Sequence, residues 1–273
     1  KNNQDKNGKY SILPLDQIIS QEVVFESCVF EQNGGQCIQQ ALHPRCNSKI
    51  SNCNFTNNHG IDGCAIYVGA PDEGGYQYTM IIQGCTFKGN KSPAKAGTHG
   101  CVSIDTHCVL FMGTNKFIDN EVLGISGTSN NEETYSYGGS LFIRQNDPAS
   151  IIYNNLEFIN SYSQHYGGAI GVFSGDYQGG GNTPSQLFIT FNNCIFTNCS
   201  SKKQGGAIKC GTGVKTGKKN NDVKLSHCEF NQCYANIGGC LFFVDGTKDG
   251  DEETVIEYCR FNGHNEDRDR IST

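Results

Sequence analysis

The chain has 273 residues, 36% of them hydrophobic and 18% charged, with 34 glycines, 15 cysteines, no tryptophan and a net charge of −6. It is long enough to bury a sizeable core, and its negative balance argues against a nucleic-acid or anionic-membrane partner, either of which needs a basic face. No run of about 18 apolar residues occurs, so no transmembrane segment is expected, and scarce Ala, Leu and Met argue against long helices.

Residues 1–10, KNNQDKNGKY, lack both Met and an apolar signal core, which reads as a processed chain or part of a longer one. YSILPLDQII (10–19) is apolar enough to cap the first unit of the fold, and residues 1–22 are assigned to that role.

From residue 23 an eight-residue pattern recurs: VVFESCVF (23–30), SKISNCNF (48–55), MIIQGCTF (80–87), LFMGTNKF (110–117), IIYNNLEF (151–158), ITFNNCIF (189–196), VKLSHCEF (223–230) and TVIEYCRF (254–261). Its anchor is Phe30, Phe55, Phe87, Phe117, Phe158, Phe196, Phe230 and Phe261. Two residues earlier stands Cys28, Cys53, Cys85, Cys194, Cys228 or Cys259, and five earlier a large apolar residue: Phe25, Ile50, Ile82, Met112, Tyr153, Phe191, Leu225 or Ile256. Between them lie two polar positions where the inward parity changes, as a corner between two strands requires.

A glycine motif interleaves with the first: GGQCI (34–38), DGCAIY (62–67), HGCVSI (99–104), GGSLFI (138–143), GGAI (167–170 and 205–208) and GGCLFF (238–243). A small residue follows the glycine (Gln36, Cys64, Cys101, Ser140, Ala169, Ala207, Cys240), and apolar residues then alternate: Ala65/Tyr67, Val102/Ile104, Leu141/Ile143, Ile170/Val172, Ile208/Cys210 and Leu241/Phe243. Period two over so few residues predicts a short strand with one buried face. Gly168, Gly206 and Gly239 mark a turn too tight for a Cβ.

Each unit therefore reads as strand, polar corner, strand, glycine turn, strand and loop, with successive anchor Phe 25 to 41 residues apart. Variable length around fixed strands predicts a right-handed parallel β-helix of seven to eight coils over residues 23–262, with long corner loops and a polar tail at 263–273. A propeller would need hairpin-linked blades, and a leucine-rich repeat would need a Leu ladder. The long insertions 68–79, 173–186, 211–222 and 244–253 leave after the third strand, and 91–99 and 121–137 leave at the glycine corner. Variable loops on a rigid scaffold suit recognition.

The pairing of GGAI with Phe-x-x-Asn, as FEQN (30–33), FTNN (55–58), FKGN (87–90) and FIDN (117–120), resembles the polymorphic outer membrane protein repeats over roughly residues 23–262. The last four anchors end instead in Ser161, Cys199, Cys233 and His264. The resemblance implies a surface-displayed β-helix acting in adhesion.

Several residues invite chemistry. The cysteines form two internal columns, which serve either as buried free thiols or partly as disulfides between neighbouring coils; no CxxC pair points to zinc. Asp245, Asp249 and Asp251 imitate the start of a Ca²⁺ loop, although Ile256 stands where the twelfth-position Glu belongs. Asn54, Asn90 and Asn198 open Asn-x-Ser/Thr sequons and are glycosylation candidates in an exported chain. His59, in NHGIDG (58–63), resembles a polygalacturonase segment, but its place in a glycine turn gives it a structural reading.

The expectation is a non-enzymatic extracellular or cell-surface protein of adhesion, recognition or assembly. It would need no cofactor beyond that calcium candidate, and its partner would be a protein or glycan ligand or a second copy met through a coil end. The alternatives are a carbohydrate-active enzyme on acidic polysaccharides and an end-to-end stacked filament subunit.

Overall fold

The computed structural model describes residues 23–41, 47–69, 79–93, 99–105, 109–124, 136–145, 149–174, 187–212, 221–243 and 254–263. Among them there is no helix, and the strands pair in parallel within five sheets.

An eight-stranded sheet takes, in chain order, Val29–Glu31, Asn54–Thr56, Thr86–Lys88, Asn115–Ile118, Leu156–Ile159, Ile195–Thr197, Glu229–Asn231 and Arg260–Asn262. Preceding it in each repeat is a strand of one of two four-stranded sheets: Val23–Glu26, Ser48–Ser51, Met80–Gln83 and Val109–Met112, then Ala149–Asn154, Leu187–Asn192, Asn221–Ser226 and Thr254–Glu257. A seven-stranded sheet holds the strands after the glycines: Ile38–Ala41, Ile66–Gly69, Val102–Ile104, Leu141–Gln145, Ile170–Ser174, Ile208–Thr212 and Leu241–Phe243. Every strand thus pairs with its equivalent one repeat away.

The register places the eight anchor phenylalanines in one column, Phe30 against Phe55 through to Phe230 against Phe261. Their rings stack face to face at 4.6–5.0 Å, close to one strand spacing. Phe55 to Phe230 are fully buried, whereas Phe261 is 47% exposed because no further described strand lies over it.

Two left-handed residues per repeat turn the chain. One stands three before the anchor (Ser27, Asn52, Gly84, Asn155, Asn193, His227, Tyr258), the other two after it (Gln32, Asn57, Gly89, Asp119, Asn160, Asn198, Gln232), all at φ between 52° and 64°. That conformation favours Gly, Asn and Asp, which accounts for much of the polar composition. At the glycine turn the two glycines differ in purpose. Gly138, Gly167, Gly205 and Gly238 sit at φ 62–67°. A Cβ on Gly168 or Gly206 would instead collide with the carbonyl of Gly206 or Gly239 in the next repeat, while Gly239 has open space around it.

The structure corrects four readings. In the second repeat the inward pair is Ile66 and Val68, with Ala65 in the small-residue column, because Ile66 and not Ala65 pairs with Val102. Likewise Ile38 pairs with Ile66, so Cys37 replaces Gln36 in that column. A one-residue slip exchanges the faces of a strand. In the fourth repeat Phe111 is buried and Met112 is 47% exposed, since Phe111 pairs with Ile82 and the corner there is one residue longer. Finally, the stretches 91–99 and 121–137 open not as loops but as Lys91–Ser92 and Glu121–Val122, which form a small fourth-corner sheet with Tyr162–Ser163 and Ser200–Ser201. Two-residue strands carry too little periodicity to be read in advance.

Candidate functional site

Much of the chemistry-bearing interior is structural. Three residues after the anchor, Asn33, Asn58, Asn90 and Asn120 form a buried amide ladder. At its centre Asn90 Nδ2 donates to Phe55 O and to Asn120 Oδ1, and Asn90 Oδ1 accepts from Asn58 N and Nδ2, all at 2.9–3.0 Å. Where the ladder changes to Cys199 and Cys233, the thiols donate to the corresponding carbonyls of Phe158 and Phe196, each at 3.6 Å. The column two before the anchor works alike. Cys53, Cys85, Cys194, Cys228 and Cys259 each donate to the carbonyl two residues back, and Asn115 donates to Met112 O. Cysteine and asparagine alternate because both are small donors that satisfy a buried corner carbonyl. None of the thirteen described cysteines is bridged, and burial pushes the Cys85 thiol up to about 11 and that of Cys37 to about 12, which keeps both largely protonated at neutral pH.

The outer face of the seven-stranded sheet departs from the repeat. Asp105 follows Val102–Ile104, and Arg144 lies in the adjacent Leu141–Gln145. Arg144 forms an ion pair with Asp105 Oδ2, which also accepts from Tyr67 Oη at 3.0 Å. Asp62, left-handed at φ 47°, accepts the His99 N–H at 3.1 Å. Burial pushes its carboxyl up to about 6, against the His99 hydrogen bond, while the Asp105 charge adds and Arg144 opposes. Burial and then Asp105 also raise the Tyr67 phenol. The His99 ring stacks on Phe142 at 4.1 Å, and Phe142 packs with Tyr137 and Phe173. Arg144 Nε finds no partner among the described residues. Two carboxylates, one tuned towards neutrality and one charge-paired, beside an aromatic wall, form a polar constellation able to hold a proton near a bound molecule.

A second pair is inert. Ser136 N–H donates to His165 Nδ1 at 3.0 Å, fixing the ring proton on Nε2, and Ser136 Oγ accepts His165 N–H at 3.1 Å. Burial, then Lys203 and Lys202, hold this imidazole down at about 4. Ser136 Oγ also lies 3.0 Å from Nδ1, but both residues are buried and Nδ1 already accepts a backbone N–H, so the pair is turned away from any substrate at the surface.

Asn54 and Asn198 are exposed, but Asn90 is fully buried, and a glycan on its Nδ2 would displace two ladder bonds. Asp245, Asp249 and Asp251 lie outside the described residues. His59 is exposed, its Nδ1 3.0 Å from Asn57 O. It is Asp62 of the same NHGIDG segment that joins the outer cluster. Sequence reasoning missed Asp62, Tyr67, Asp105 and Arg144, which are scattered over three repeats. The available signal was that Asp105 and Arg144 each follow an apolar third-strand pair and so share a repeat position.

Comparison with known proteins finds no matching family model, no matching curated protein and no matching solved structure.

Proposed function

We propose that the chain winds as a right-handed parallel β-helix of the polymorphic outer membrane protein-like repeat type, and that it serves as a non-enzymatic extracellular or cell-surface scaffold for adhesion, recognition or assembly. The observation that carries this reading is the unbroken anchor column: each strand pairs only with its equivalent one repeat on, and parallel crossovers are right-handed in nearly all proteins. Columns of Phe, Asn and Cys use the repeated residues for packing and corner satisfaction, which leaves the insertions after the third strand as the variable element. The test is binding of the purified chain to intact cells of its source, with each insertion replaced in turn by a Gly/Ser linker. Binding that is lost with particular insertions supports the scaffold reading. A chain that binds no surface and fractionates inside the cell overturns it.

The outer cluster favours one second reading, an enzyme acting on acidic polysaccharides through Asp62 and Asp105. Release of reducing ends or unsaturated products, abolished by Asp62→Asn, would establish it; no turnover of acidic polysaccharides would remove it.

A further inference from the structure

The cysteines two before the anchor are not spread evenly. They fill the first three repeats (Cys28, Cys53, Cys85) and the last three (Cys194, Cys228, Cys259), while the two middle repeats carry Asn115 and Leu156. Within each trio the register is continuous. Glu26 pairs with Ser51 and Val29 with Asn54, which sets Cys28 beside Cys53; Ser226 pairs with Glu257 and Glu229 with Arg260, which sets Cys228 beside Cys259. The same reasoning aligns Cys53 with Cys85 and Cys194 with Cys228. In the first trio the Cys28 N–H lies 3.4 Å from Cys53 Sγ. In-register parallel strands put Cα atoms about 4.8 Å apart, inside the range of about 4.4–6.8 Å that a disulfide spans. In each trio one member is half-buried, Cys28 in the first and Cys259 in the second, and the other two are buried.

We propose that each trio is an oxidation site that holds one disulfide between neighbouring repeats, formed first at its accessible member as Cys28–Cys53 and Cys228–Cys259, with the third thiol kept in reserve. A low-molecular-weight disulfide such as oxidised glutathione supplies the chemistry. The Cys28 thiolate attacks one glutathione sulfur, releasing one glutathione thiolate and leaving a mixed disulfide. The Cys53 thiolate then attacks the Cys28 sulfur and displaces the second glutathione. Two protein thiols lose two electrons and two protons, and the glutathione disulfide takes them up as two thiols. The Cys85 thiolate can then attack Cys53, form Cys53–Cys85 and release Cys28, with no further oxidant. Bond formation gives up the weak thiol bond from Cys53 to Ser51 O at 3.2 Å, and because it removes two electrons the column stays reduced until an oxidant is present. The step rests on the surface reading only for the source of that oxidant.

The test is treatment of the folded, reduced full-length chain with oxidised glutathione, followed by non-reducing peptide mapping by mass spectrometry. The expected result is a Cys28–Cys53 and a Cys228–Cys259 linked peptide, each two hydrogens lighter than its parts. In Cys28→Ser, a half-buried change that leaves the core intact, the first link should move to Cys53–Cys85. Persistent glutathione adducts on Cys28 and Cys259, links between different columns, or no oxidation would each overturn the proposal. If these bonds form in the test tube but the protein from its source is fully reduced, the surface reading falls and the oxidation site stands.

Discussion

Replacing Phe196 by alanine removes a ring that is fully buried and sandwiched between Phe158 at 5.0 Å and Phe230 at 4.8 Å. Truncating a buried Phe costs about 3–5 kcal/mol through lost transfer energy and the residual cavity. Loss of two stacked neighbours, each worth about 0.5–1.5 kcal/mol beyond area, places this site at the upper end, about 5 kcal/mol. Phe261→Ala is the internal control, because among the described residues that ring has one stacking partner, Phe230 at 4.8 Å, and is 47% exposed; about 1–2 kcal/mol is expected from its smaller buried area. Urea unfolding followed by far-UV circular dichroism reads both, and the fluorescence of the tyrosines reports whether the array unfolds in one step or by sections. A Phe196→Ala midpoint no lower than that of Phe261→Ala would refute the column as the main packing element.

Tyr153 occupies the column five before the anchor with its hydroxyl buried and without a partner among the described residues, so Tyr153→Phe should stabilise the chain by about 1–2 kcal/mol in the same assay. Asn90→Ala should cost about 2–4 kcal/mol by orphaning Phe55 O and the Asn58 backbone N–H. Asn90→Cys should cost about 1 kcal/mol less, since a thiol retains the donor as Cys199 does. Asp62 has a folded pKa of about 6 against an ordinary 3.8, so folding favours its protonated form and stability is lost as pH rises through that window. Asp62→Asn should therefore gain about 1–2 kcal/mol at pH 7, after allowance for partial solvent screening, and nothing at pH 3. His165 behaves oppositely: held at about 4 against 6.5, it favours the neutral ring, and its contribution is lost as pH falls from 6.5 towards 4. Thermal melts of His165→Asn should be flatter than wild type across that range.

The repeat was legible because its anchors are chemically distinctive. Eight Phe at a fixed offset from six Cys and a glycine turn leave one alignment of the first and second strands, and the register agrees with it at every anchor. The misreadings fall where composition is locally ambiguous. GCAIY (63–67) offers apolar residues on both faces, so alternation alone could not choose Ala65 or Ile66. FMGTN (111–115) hides an extra corner residue because Phe and Met are equally apolar. The outer cluster was illegible for another reason. Its members are single departures from the repeat, and only the register reveals that Tyr67, Asp105 and Arg144 share a face. A column of cysteines in a sequence suggests packed thiols or disulfides between coils; that thiols and amides exchange as corner donors emerges only from their hydrogen bonds.

The winding of the chain is tested most directly by distances between spin labels placed on different sheets. Positions 29 and 260 stand at opposite ends of the eight-stranded sheet, seven strand steps apart, or about 34 Å at about 4.8 Å per step. Positions 24 and 255 lie in the first strand of the two four-stranded sheets and the last, and a continuous β-helix gives them the same span of about 34 Å. Positions 39 and 242, six steps apart in the seven-stranded sheet, should read one step less, about 29 Å. Three spans in that relation are the predicted result. A 24–255 distance that departs from the 29–260 distance by more than about two steps would mean that the sheets do not share one winding axis, and would contradict the β-helix.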